Sequence, residues 1–234
     1  MQNRQVVLSA HPQGAPTPDD FALSTCEVPT PGEGQMLVRN LFFSLEAAIR
    51  GWLDGKANYF EPIPLGGAIR GPSVARVITS HLPGFDAGDL IFGLHHWEDY
   101  SLSDANTILL SKLTPEADIP LSYYAGGLGG SGHTAYVGLH EIGQIQAGDT
   151  VVISAAAGAT GSMATQIAKL RGCKVVGIVG GDNKCQLVTE TLGADAAINY
   201  KTCVNLTSAI NEACPEGVDV YFDNVGGKTL DAVL

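Results

Sequence analysis

The chain has 234 residues, 45% hydrophobic and 16% charged, which is enough apolar side chain for one large core or two modest ones. Thirteen Lys and Arg against 24 Asp and Glu give a formal charge of −11, which speaks against a nucleic-acid partner but permits a local cationic spot for one phosphate. Five cysteines without a Cys-x-x-Cys pair speak against a disulfide framework, and the lack of a long apolar run or signal peptide predicts a cytoplasmic protein with no membrane partner.

In chain order, the first 120 residues hold short apolar runs broken by Pro and Gly, and ten of the twelve prolines precede residue 116. Residues 5–8, 36–45 and 74–79 read as strands of a turn-rich β domain. Beyond residue 120 the pattern changes. Residues 134–142 read as a helix and 150–155 as a short buried strand. A helix is expected over 162–170, with Met163, Ile167 and Leu170 on one face. Strands at 174–179, 196–199 and 219–222 alternate with helices at 184–192 and 206–213. Strict alternation predicts parallel strands joined by crossovers.

The strand at 150–155 runs into Ala156, Ala157, Gly158, Ala159, Thr160 and Gly161, and then into a helix. Strand, tight turn and helix start form the context of a dinucleotide fingerprint. Gly158 lets the backbone approach a pyrophosphate, Gly161 lets the helix pack on the strand, and free N–H groups at the helix start attract the anion. The first glycine of the usual pattern is replaced by Ala156. At the second strand's tip, where NAD sites place an acid for the ribose 2′-OH, stand Gly180 and Gly181. The glycine tip leaves room for a 2′-phosphate, Lys184 can neutralise it, and Tyr200 can add a hydroxyl, so NADP is the expected cofactor. Against this, Lys184 also reads as a solvated helix lysine, and Asp182 as a ligand for a 2′-OH.

Residues 154–162, 166–169, 195–201 and 221–227, with 34–40, 49–51 and 84–89 in the first half, resemble the medium-chain dehydrogenase/reductase superfamily. Within it they are similar to the zinc-independent prostaglandin reductase and alkenal double-bond reductase branch. The resemblance implies an α/β fold: a GroES-like β-rich domain over residues 1–122, then an incomplete Rossmann domain, a doubly wound parallel sheet binding NADP, over 123–234. It implies that Gly158, Ala159, Thr160 and Gly161 hold the pyrophosphate. Lys184 and Tyr200 would serve the 2′-phosphate end, Asn224 would contact the cofactor, and Thr134 would lie near the nicotinamide. Zinc relatives carry a Gly-His-Glu segment and four close cysteines. Neither occurs here, and no metal site is expected.

The implied reaction is NADPH-dependent reduction of the carbon–carbon double bond of an α,β-unsaturated ketone or aldehyde. Tyr59 is the candidate hydroxyl beside the reacting carbonyl, or else a surface loop residue. Trp97, with His95 or His96, is the candidate substrate lining, or else rim packing. The sequence stops just after the fourth strand of the second domain, so the fifth and sixth strands and the edge through which relatives form homodimers are expected to be missing. Three readings stay open: a partial copy of an active reductase, a non-catalytic NADPH-binding pseudoenzyme, and an interaction module pairing through an open sheet edge.

Overall fold

The computed structural model describes residues 2–56 and 60–234 and divides into two compact units, Met1–Ala125 and Gly126–Leu234. In the first unit β1 (Gln2–Leu8) and β2 (Phe21–Glu27) form an antiparallel pair. A five-stranded antiparallel sheet is built from β3 (Gln35–Phe43), β4 (Arg70–Ser80), β5 (Leu90–His96), β6 (Tyr100–Asp104) and β7 (Ser111–Leu113), in the order β6-β3-β4-β5-β7. Helix α1 (Ala48–Trp52) follows β3, and α2 (Ser122–Ala125) closes the unit.

The β3–β4 register shifts between Leu37 and Val38 and again between Asn40 and Phe42. Such irregularities re-aim side chains, so β3 buries Met36, Leu37 and Val38 consecutively instead of alternating. One core gathers Met36, Val38, Ala75, Val77 and Ile91, and a second gathers Leu8, Ile49, Trp52, Leu53, Ile63 and Ile69. Among the unit's described residues, β2, β5, β6 and β7 are strands that the sequence pattern does not announce. Segments such as Tyr100–Asp104 are short and polar, and cross-strand pairing rather than composition makes them strands.

The second unit opens on α3 (Gly130–Val137), which continues into a π-helical turn, Gly138–Ile142. The sequence predicts this helix only from residue 134, because the glycines before it resemble loop punctuation. They are packing glycines instead. A Cβ on Gly132 would stand 1.6 Å from the Gly127 carbonyl oxygen, and one on Gly138 would stand 2.6 Å from the Phe222 ring.

Then come β8 (Thr150–Ser154), α4 (Ala159–Leu170), β9 (Lys174–Val179), α5 (Asp182–Gln186), β10 (Ala196–Asn199), α6 (Leu206–Ala213), β11 (Val220–Phe222) and α7 (Gly227–Val233). All four strands are parallel, in the order β10-β9-β8-β11, the first four positions of a doubly wound sheet. Both faces are covered. Val151, Ile153, Val175 and Val179 point to the side holding Ala135, Leu139, Ala164 and Ala168, while Val152, Val176 and Ile178 meet Ile210 and Cys214. This double burial is why β8 and β9 read as continuous apolar runs. The chain leaves β8 for β9 on one side and reaches β11 on the other, so the switch point lies at the tips of β8 and β11.

Candidate functional site

The fingerprint loop begins at Ser154, wholly buried at the end of β8, and turns at Ala155, whose φ is +47°. A non-glycine residue in this region costs about 1–2 kcal/mol, and the turn holds it in place: the Gly158 N–H donates to the Ala155 carbonyl at 2.7 Å. Gly158 is the N-cap of α4 and supplies no side-chain cap. The N–H groups of Ala159, Thr160 and Gly161 have no acceptor among the described residues, leaving an uncapped helix start suited to an anion. A methyl on Gly161 would lie 2.2 Å from the Ala155 carbonyl oxygen and 2.8 Å from the Ala156 Cα. Gly161 therefore sets how closely the helix approaches the loop.

The replaced first glycine has a counterpart on the next strand. The methyl group of Ala156 is fully buried against Gly177 of β9, where an added Cβ would stand 2.9 Å from it and 2.7 Å from Val188. The space one glycine gave up is provided by another.

A cavity of about 310 Å³ lies over the strand tips. Ala155, Ala157 and Gly158 border it from the loop, Ile178, Val179 and Gly180 from β9, and Lys184 from α5. Tyr200 and Lys201 border it beyond β10, as do Val225 and Thr229 beyond β11. Among the described residues no acidic side chain lines it. The sequence predicts that Gly180 leaves room for a 2′-phosphate, but the Tyr200 ring occupies that space, 2.8 Å from where a Cβ would be. The glycine thus admits the tyrosine, half exposed, to the cavity wall. Asp182 is not part of the lining, and its Oδ1 accepts a 2.7 Å hydrogen bond from Asn199 Nδ2.

At the switch point, Asp223 Oδ1 accepts from Ser154 Oγ at 3.1 Å, Tyr221 Oη at 2.8 Å, and the N–H groups of Val225 at 3.0 Å and Gly226 at 2.9 Å. Burial pushes the Asp223 carboxyl up, but these donors outweigh it and hold the group below the ordinary carboxylate value. Burial first, with Asp223 beside it, pushes the Tyr221 phenol up to about 12. Asn224 donates from Nδ2 to the Ser154 carbonyl at 2.8 Å and from its N–H to Ser154 Oγ at 2.7 Å. Its amide ties the β8 and β11 tips together and does not line the cavity. Thr134 is exposed on α3, also outside the lining.

In the first unit, His95 is a correction. It is 3% exposed, inside the sheet, with Nδ1 2.8 Å from Ser73 Oγ and Nε2 3.2 Å from Ser103 Oγ. Both ring nitrogens are engaged, and burial, helped by His96, lowers its pKa to about 4. It lines no surface because alternation along β5 turns it inward and leaves His96 exposed. Trp97 borders a second cavity of about 460 Å³ with Val6, Asn40, Phe43, Leu45 and Glu98. Its buried Nε1 has no partner among the described residues and faces Gly71, where a Cβ would stand 2.9 Å away. Tyr59 lies outside the described residues.

Lys201, Val225 and Thr229 also line the cavity, beyond the residues that the sequence points to. Lys201 had a signal, a cation adjoining Tyr200 at a strand tip. Thr229 had none, since only the turn after β11 brings it to the cavity. Among the described residues no three or more His, Cys, Asp or Glu side chains are grouped to hold a metal, and no helix is long and apolar enough to cross a membrane.

Residues 4–110 match a family model described as the N-terminal domain of oxidoreductase, and residues 159–234 one described as zinc-binding dehydrogenase. The NADPH-dependent curcumin reductase of Escherichia coli (strain K12) is 42% identical over 233 residues, covering 100% of this chain and 66% of that protein. The 2-alkenal reductase (NADP(+)-dependent) of Nicotiana tabacum is 40% identical over 238 residues, covering 100% of this chain and 69% of its own. The crystal structure of CurA from Vibrio vulnificus in complex with NADPH is 42% identical with a TM-score of 0.87, covering 98% of this chain and 67% of that one. The chain spans about two thirds of the length of the curated relatives it matches. Two-domain match, parallel sheet and fingerprint loop agree, and the chain belongs to the medium-chain dehydrogenase/reductase superfamily, in its zinc-independent prostaglandin and alkenal reductase branch.

Proposed function

We propose that the protein is an NADPH-dependent reductase of the carbon–carbon double bond of α,β-unsaturated ketones or aldehydes. The observation that carries this reading is the cavity at the strand tips, bordered by an uncapped helix loop, two lysines and a tyrosine, with no acid in its wall. The relatives act as named on curcumin and 2-alkenals with the same cofactor, and their names favour neither non-catalytic alternative.

The residues fit the nucleotide. The free N–H groups of Ala159, Thr160 and Gly161 would hold the pyrophosphate, with the α4 dipole behind them. Lys184 and Tyr200 would hold the 2′-phosphate. When bound, the dihydronicotinamide would supply a hydride to the substrate's β-carbon. The chain's task is then to orient the reactants and stabilise the charge that develops on the carbonyl oxygen, a role for the Tyr59 hydroxyl. Asn224 acts on the site by fixing the β8 and β11 tips, and Thr134 and Trp97 remain proposed lining residues for nicotinamide and substrate. Unpaired cysteines, two of them buried, suit the reducing cytosol proposed here.

The test is NADPH titration followed by turnover of an enone, with the saturated ketone identified as product. NADPH binding and enone-dependent NADPH consumption are expected. An allylic alcohol as product, or NADH preferred over NADPH, would overturn the reading. In the same assay Tyr59→Phe is expected to lower kcat about 100-fold with little change in NADPH affinity.

A further inference from the structure

Lys201 and Asn199 belong to no role assigned so far, yet Lys201 borders the cavity and Asn199 is hydrogen-bonded to its backbone N–H. Lys201 lines it beside Tyr200, and its ammonium has no hydrogen-bond or ion-pair partner among the described residues. Asn199, the last residue of β10, uses its side-chain amide in two directions. Nδ2 donates to Asp182 Oδ1 at 2.7 Å, and Oδ1 accepts from the Lys201 N–H at 3.1 Å. The Asn199 carbonyl accepts from the N–H groups of Thr202 at 3.1 Å and Cys203 at 3.0 Å, which closes the turn that carries Lys201. One amide therefore ties down the Asp182 carboxylate and fixes the turn of the second cation. In a chain of net charge −11, the resulting wall contains Lys184 and Lys201 and no acid.

We propose that Asn199 is the positioning residue that sets the choice of cofactor, by holding Asp182 out of the cavity and presenting Lys201 as a second cation for the adenosine 2′-phosphate. The inference rests on the NADPH reading above. A 2′-phosphate carries close to two negative charges, which two lysines neutralise and a neighbouring carboxylate would oppose. A 2′-hydroxyl has no charge to reward the lysines and would accept the carboxylate as a partner. A side-chain amide can donate to Asp182 and accept from a backbone N–H at once.

The test compares dissociation constants for NADPH and NADH by calorimetry, with thermal unfolding as the control for folding. Lys201→Gln, at an exposed position, is expected to weaken NADPH about tenfold and leave NADH within about twofold. Asn199→Ala is expected to narrow the NADPH preference about tenfold, and adding Asp182→Ala to it is expected to restore most of that preference. A merely structural Asn199 would lower affinity for both nucleotides equally and would not be rescued by removing Asp182. An unchanged preference in either single variant, or failure of that rescue, overturns the inference while leaving the NADPH reading intact. A parent protein that binds the two nucleotides equally, or neither, overturns both.

Discussion

Gly161 and Lys184 show two kinds of residue-level control. At Gly161 the constraint is contact: a Cβ 2.2 Å from a carbonyl oxygen has no rotamer by which to escape. Gly161→Ala is expected to destabilise the protein by about 2–4 kcal/mol, as an overpacked substitution against backbone, measured by urea unfolding. At Lys184 the constraint is charge, and the fold does not depend on it, since the side chain is exposed and unpartnered among the described residues. Lys184→Ala is expected to leave stability within about 0.5 kcal/mol and to weaken NADPH about tenfold, with NADH changed less than about twofold. Equal loss for both nucleotides would show that Lys184 does not meet the 2′-phosphate.

At the scale of elements, β8, β9 and α4 fit together through exchanged volumes. Ala156 carries the methyl that the fingerprint usually omits, and Gly177 omits the one that a strand usually carries. Gly177→Ala is expected to cost about 1–3 kcal/mol through contact with Val188 and Ala156. Ala156→Gly should relieve part of that cost, so the double variant is expected to be more stable than the sum of the single effects predicts. Additive effects in denaturant unfolding would show that the two positions do not share one space. The same exchange explains why the loop was legible in sequence as only a partial motif. Its missing glycine lies on another strand, and the two are brought together only when β9 pairs with β8.

On the scale of the whole molecule, the first unit carries a buried histidine whose pH dependence has a definite sign. The His95 imidazole takes a proton near pH 6.5 in the unfolded chain and near 4 in the fold. Between those values the unfolded state binds more protons, so stability is intact above pH 6.5 and falls as the pH drops towards 4. The full difference amounts to about 3 kcal/mol. His95→Gln is expected to flatten the stability curve in that window, checked by chemical unfolding at pH 7 and pH 4.5. A slope unchanged by the substitution would place the pH dependence elsewhere.

The division between sequence and structure follows from the range of the forces involved. The alternation of apolar strands and amphipathic helices after residue 120, the loop at Gly158 and Gly161, and the pair Lys184 and Tyr200 are local in the chain, and sequence by itself determined the parallel sheet and its nucleotide-binding loop. Periodicity and turn chemistry act over a few residues and can be read directly. What surrounds a side chain is set by residues far away in the chain, and only the tertiary structure decided those cases. It turned His95 into the sheet, filled the space beside Gly180 with Tyr200, and spent the Asn224 amide on the Ser154 carbonyl. It also moved Asp182 onto Asn199, 17 residues along the chain, leaving a cavity wall of one sign. Burial and pairing decide whether a polar group faces a ligand, and both depend on contacts that exist only after the chain has folded.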